Sequence, residues 1–106
     1  MPNKQILIAD DDPSIRLLLR SFLEGEGFDT TEAKSGGEVL RMLPQLAPDL
    51  MIMDLRMPEW DGIEVLRKLS EQNLKVPVLL MTAHGTSNSA IQAIQLGAFD
   101  YITKPF

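Results

Sequence analysis

Residues 6–13 read Ile6-Leu7-Ile8-Ala9-Asp10-Asp11-Asp12-Pro13. Four apolar residues in a row suit a strand covered on both faces, as in a parallel sheet. Acidic residues then end the run. Asp12 is placed to cap a helix, and the fixed φ of Pro13 suits its first turn. Downstream, Ile15, Leu18, Leu19, Phe22 and Leu23 recur at the spacing of one helical face, so the helix is predicted over Pro13–Gly25. Gly25 and Gly27 can end it.

Strand and helix alternate along the rest of the chain. Phe28–Glu32, rich in Thr, is a second strand. Ser35-Gly36-Gly37-Glu38 has the spacing of a capping box and opens a helix through Leu43. Pro48-Asp49 punctuates, and Leu50-Met51-Ile52-Met53 is a third strand. Asp61-Gly62-Ile63-Glu64 opens a helix carrying Ile63, Leu66 and Leu69. Pro77–Met81 is the fourth strand. Ser87–Leu96 is a helix with Ile91 and Ile94 inside, stopped by Gly97, and Phe99–Thr103 is the fifth strand. The order predicts an α/β domain over residues 1–106, with a doubly wound, parallel, five-stranded sheet.

Composition excludes several classes of function. A chain of 106 residues holds one core. With 10 Lys and Arg against 15 Asp and Glu, the net charge is −5, which repels nucleic-acid phosphates. The chain has no cysteine and one histidine, His84, so thiolate and multi-histidine metal sites are excluded. The apolar stretch Val76–Met81 is too short to span a membrane, and residues 1–5 carry no signal-peptide pattern. A cytoplasmic domain that binds neither nucleic acid nor membrane is expected.

The chemistry-bearing residues follow strands. Asp10 and Asp11 follow the first, Asp54 the third and Lys104-Pro105 the fifth, while Thr82 closes the fourth. In a parallel sheet these ends share one edge, where ligands bind. Each residue alone has a plainer reading. Asp12 is a cap, Asp54 a turn residue, Lys104 a solvated strand end, Thr82 a strand former and Tyr101 a half-buried aromatic. His84 reads as a solvated loop histidine.

Together, Ile8-Ala9-Asp10-Asp11-Asp12, Met53-Asp54-Leu55-Arg56-Met57-Pro58 with Asp61-Gly62, Met81-Thr82-Ala83 and Tyr101-Ile102-Thr103-Lys104-Pro105-Phe106 resemble the receiver domain of bacterial two-component response regulators. The motifs keep their order and spacing over the entire chain. The resemblance implies the flavodoxin-like strand order 2-1-3-4-5. It also implies a phosphoacceptor switch rather than a metabolic enzyme. Asp54 would take a phosphoryl group from a sensor histidine kinase. Asp10, Asp11, Asp54 and the backbone carbonyl of Arg56 would hold Mg²⁺. Lys104 and Thr82 would contact phosphoryl oxygens, with Thr82 and Tyr101 forming the switch that controls a downstream output such as transcription. Positions such as Arg56 and His84 tune water access to the acyl phosphate in the family.

The residue types suit these roles. Three carboxylates give −3, a divalent cation and Lys104 return +3, and an aspartate is ionised without a general base. Phosphoryl transfer is mostly positioning and charge neutralisation.

Met81-Thr82-Ala83-His84-Gly85-Thr86 and the Lys-Pro-Phe ending look most like receivers of the nitrogen-regulator type. Family domains continue into a fifth helix after Lys-Pro-Phe, so the sequence ending at Phe106 is expected to be a truncated domain. Four lost Leu-like contacts would cost on the order of 6–12 kcal/mol and favour self-association through the bare sheet face. Trp60, where the family often has a smaller residue, is expected to cover the loop before the third helix.

Three other functions compete with this reading. An aspartyl-nucleophile phosphohydrolase of the haloacid-dehalogenase type needs an acid where Arg56 stands. A mononucleotide binder needs a Gly- or Ser-rich turn where Asp10-Asp11-Asp12 stands. A non-phosphorylated interaction fragment is the remaining alternative.

Overall fold

The computed structural model describes residues 3–82 and 88–103. Strands β1 (Gln5–Ala9), β2 (Asp29–Ala33), β3 (Leu50–Asp54), β4 (Val78–Thr82) and β5 (Asp100–Thr103) alternate with helices α1 (Pro13–Gly25), α2 (Gly36–Leu46), α3 (Gly62–Glu71) and α4 (Asn88–Gln95). All strand pairs are parallel, in the order β2-β1-β3-β4-β5. The expected fold class and strand order are therefore observed.

Alternation along the strands divides the core in two. Leu7, Ala9, Met51, Met53, Val78 and Leu80 face α2, α3 and α4, where they pack with Val39, Leu43, Val65, Leu66, Leu69 and Ala93. Ile6, Ile8, Ile52 and Met81 form the other cluster, against Ile15, Leu19 and Leu23 of α1. Among the described residues α1 is the helix on this second face. It has no fully buried residue, and Leu17, Leu18 and Phe22 are exposed on it. No described helix is long and apolar enough to cross a membrane.

The helix starts follow the sequence signals. Asp12 caps α1, its side chain accepting from the Ser14 N–H at 2.8 Å. Asp61 and Glu64 form a reciprocal capping box at α3. At α2 the box is shifted. Ser35 Oγ accepts from the Glu38 N–H, but the Glu38 carboxylate takes the N–H of Lys34 rather than that of Ser35.

Several boundaries differ from the sequence expectation, β4 among them at Val78–Thr82 rather than Pro77–Met81, and two have a clear physical reason. Strand β2 lies one residue later, at Asp29–Ala33, because its register is set by pairing with β1, Gln5 opposite Asp29. Helix α2 continues through Pro44 to Leu46. Proline costs a helix the bond to the residue four back, a cost that the packing of Leu43 and Leu46 against the core outweighs here. The helix ends at Ala47, a left-handed residue at φ 45° whose N–H reaches the Leu43 carbonyl.

Candidate functional site

The ends of β1, β3 and β4 bring Asp10, Asp11, Asp54 and Thr82 to one edge of the sheet. Asp10 extends β1 by one residue, its N–H donating to the Ala33 carbonyl at 3.1 Å. Its side chain is fully buried, and one carboxylate oxygen accepts from the Asp12 N–H at 2.9 Å. Asp11 is exposed beside it. Asp54, 8% exposed, is the last residue of β3. The Arg56 N–H turns back to its Oδ1 at 3.4 Å, which starts the loop to α3. The Leu55 N–H holds that turn to the Met81 carbonyl at 3.1 Å. Thr82 is buried at the end of β4, opposite Thr103 of β5.

One carboxylate oxygen from each of Asp10, Asp11 and Asp54 lies within 4.8 Å of the other two. Three such charges repel in a partly buried place, and a hard divalent cation relieves that repulsion with oxygen ligands only. The donor set therefore fits Mg²⁺.

Tyr101 is half-buried in β5, opposite Leu80, and packs against the larger core cluster on the side of α4. Lys104 and His84, both named from the sequence, lie outside the described residues.

Trp60, expected to cover the loop before α3, instead has its ring beside the outer face of that helix. It is partly exposed, its backbone carbonyl abuts Gly36, and the Lys68 ammonium stands 5.3 Å from its ring centroid.

Two groups at this edge escaped the sequence reading. Arg16 of α1 donates through Nη1 to the Asp10 carbonyl at 2.7 Å and through Nε to Glu32 Oε1 at 2.9 Å. It thereby ties the acidic turn to β2. Its position beside the apolar stripe of α1 was the available signal, but its partners become neighbours only in the fold. The other group is Glu59, whose carboxylate accepts from Ser35 Oγ at 2.7 Å. The Gly36-Gly37 pair was a hint that another segment approaches there.

Comparison with known proteins gives a consistent picture. The family described as "Response regulator receiver domain" matches residues 6–106. The chain is 40% identical over 102 residues to the regulatory protein AtoC of Escherichia coli, covering 96% of this chain and 22% of that protein. It is 44% identical over 99 residues to the transcriptional regulator NtrC of Klebsiella pneumoniae, covering 93% and 21%. The chain thus spans about a fifth of the length of these relatives. Among solved structures, the receiver domain of the Francisella response regulator 1452 superposes with a TM-score of 0.92 at 36% identity, covering 98% of this chain and 86% of that one.

Proposed function

Because the chain belongs to the response regulator receiver domain family, we propose that Asp54 is its phosphoacceptor and that Asp10, Asp11, Asp54 and the Arg56 carbonyl hold Mg²⁺. Receiver domains are signalling modules that take phosphate from sensor histidine kinases. The observation that carries the reading is the convergence of three carboxylates from two strand ends within 4.8 Å.

The chemistry follows from this chain's own residues. An ionised Asp54 oxygen attacks the phosphorus of a phosphohistidine. The new P–O bond forms as the P–N bond breaks, and the imidazole leaves, taking a proton from solvent. Burial of Asp54 and its tether to the Arg56 N–H hold the nucleophile in one orientation. Mg²⁺, when bound, supplies charge neutralisation for the phosphoryl oxygens. The Thr82 hydroxyl and the Lys104 ammonium donate to those oxygens. Water later cleaves the acyl phosphate, so the signal decays.

Thr82 and Tyr101 form the switch in this reading. Thr82 moves toward the phosphoryl group, and the Tyr101 ring on the neighbouring strand responds to the space it leaves. The phosphorylated form favours a conformation that is minor without phosphate. The output is control of a downstream activity, transcription in the first instance, since relatives of this chain are named as transcriptional regulators.

Intact mass after incubation with acetyl phosphate tests this. One phosphoryl group should be added with Mg²⁺, none with a chelator, and none to Asp54→Asn. An adduct on Asp54→Asn to the wild-type extent, or no adduct on a chain shown by circular dichroism to be folded, would overturn it.

A further inference from the structure

The loop of residues 55–61 between β3 and α3 carries the Arg56 carbonyl, and its far end rests on the first turn of α2. Three contacts make that junction. The Gly36 N–H donates to the Pro58 carbonyl at 3.3 Å. Ser35 Oγ donates to Glu59 Oε1 at 2.7 Å. The Trp60 carbonyl lies against Gly36, where a Cβ would collide with it. A Cβ on Gly37 would meet the Glu59 carboxylate at 2.5 Å. Both glycines are buried, and only their missing side chains allow the loop to come so close.

Glu59 makes these contacts from a backbone conformation that suits it poorly. Its φ is +70°, a left-handed value that an ordinary L side chain disfavours. The carboxylate sits at the amino end of α2, where the helix dipole favours an anion, and Ser35 donates directly to it. Ser35 Oγ in turn accepts from the Glu38 N–H at 3.2 Å, so one hydroxyl caps the helix and holds the loop. At the other end the loop is fixed by Arg56 N–H to Asp54 and by Gly62 N–H to the Leu55 carbonyl at 2.8 Å.

We propose that Glu59, held by Ser35, is a positioning residue for the metal site: it anchors the far side of the loop that carries the Arg56 carbonyl and so limits where that carbonyl can move. This rests on the reading of Asp10, Asp11, Asp54 and the Arg56 carbonyl as the Mg²⁺ ligands. The latch makes α2, whose residues contribute no ligand, part of the site's support. A group that only orients a ligand acts on affinity through pre-organisation, as hydrogen-bond partners behind metal ligands do.

The test is a Mg²⁺ titration of the 106-residue chain, followed through its amide resonances, for wild type, Ser35→Ala, Glu59→Ala, the double variant, Glu59→Gln and Glu59→Gly. Loss of the latch should weaken Mg²⁺ binding about 3- to 10-fold, the effect of one hydrogen bond. The double variant should bind no more weakly than either single one, because both remove the same contact. Glu59→Gln keeps an oxygen acceptor and should bind within about twofold of wild type on the same scale. Glu59→Gly relieves the left-handed backbone and is the variant best able to fold, yet it should bind as weakly as Glu59→Ala.

Alanine variants that bind Mg²⁺ like wild type while melting at lower temperature would overturn the proposal and leave Glu59 a stabilising residue. So would a Gln variant as weak as Ala, or additive losses in the double variant. A wild-type chain whose resonances do not respond to Mg²⁺ would instead overturn the metal-site reading on which the latch depends.

Discussion

Replacing Arg16 by alanine should destabilise the domain far more than its place on a surface helix suggests. The Arg16 side chain is only 11% exposed and serves two partners. Its bond to the Asp10 carbonyl at 2.7 Å is charge-assisted and partly buried, and such bonds contribute about 1.5–3 kcal/mol. Its ion pair with Glu32 is half-screened, since Glu32 is 31% exposed and still has Arg20 at 3.2 Å. That pair adds about 0.5–1 kcal/mol. The sum is about 2–4 kcal/mol, a large part of a typical domain stability of about 5–15 kcal/mol. For a domain of this size the melting temperature should fall by about 10–25 °C, measured by circular dichroism without metal. Arg16→Lys keeps the charge but loses the fork, and should fall about half as far. The neighbouring Arg20, 52% exposed and paired with Glu24 and Glu32, is the control. Arg20→Ala should cost less than about 0.5 kcal/mol. If Arg16→Ala melts within about 3 °C of wild type, or if Glu32→Ala costs as much as Arg16→Ala, the carbonyl contact is not what holds the turn and the reasoning fails.

Four further outcomes are expected. Gly62→Ala places a Cβ 2.9 Å from the Leu55 Cα and 3.0 Å from the Asp54 carbonyl. Backbone cannot yield as a side chain does, so it should cost about 1–3 kcal/mol in chemical denaturation and reduce the rate of phosphorylation by acetyl phosphate. Ala47→Gly relieves the left-handed end of α2 and should raise the melting temperature by about 2–8 °C, the relief being partly offset by the freer unfolded chain. Mg²⁺ at ten times its Kd should stabilise by about 1.4 kcal/mol, a rise of about 6–11 °C. Asp54→Asn should lose most of that rise while melting higher than wild type in the absence of metal, because one of three mutually repelling carboxylates is gone.

Much of the site could be read in the sequence because sheet edges collect it. Asp10, Asp54 and Thr82 each end a strand, and parallel strands put their ends together whatever the details of packing. Helix starts were equally legible, since Asp12, Ser35 and Asp61 cap through bonds that span two or three residues. What was missed is long-range. Arg16 meets Glu32 across sixteen residues and Ser35 meets Glu59 across twenty-four. Neither pair has a local signature. The run of α2 through Pro44 was missed for another reason. Proline signals a helix stop, and packing of Leu43 and Leu46 against the core overrides that signal in a final turn.

By itself the sequence determined the fold class and the set of carboxylates, because hydrophobic period and strand-end chemistry are local and the crossover hand is nearly fixed; the strand order followed only from the resemblance of its motifs to the receiver family. Only the tertiary structure decided how that set is supported. The sheet register put Ala33 opposite Ala9 and brought Glu32 beside α1 for Arg16 to bridge. The close approach of the β3–α3 loop to the glycines of α2 put Glu59 within reach of Ser35. Those are contacts between distant segments, whose geometry exists only once the chain has packed.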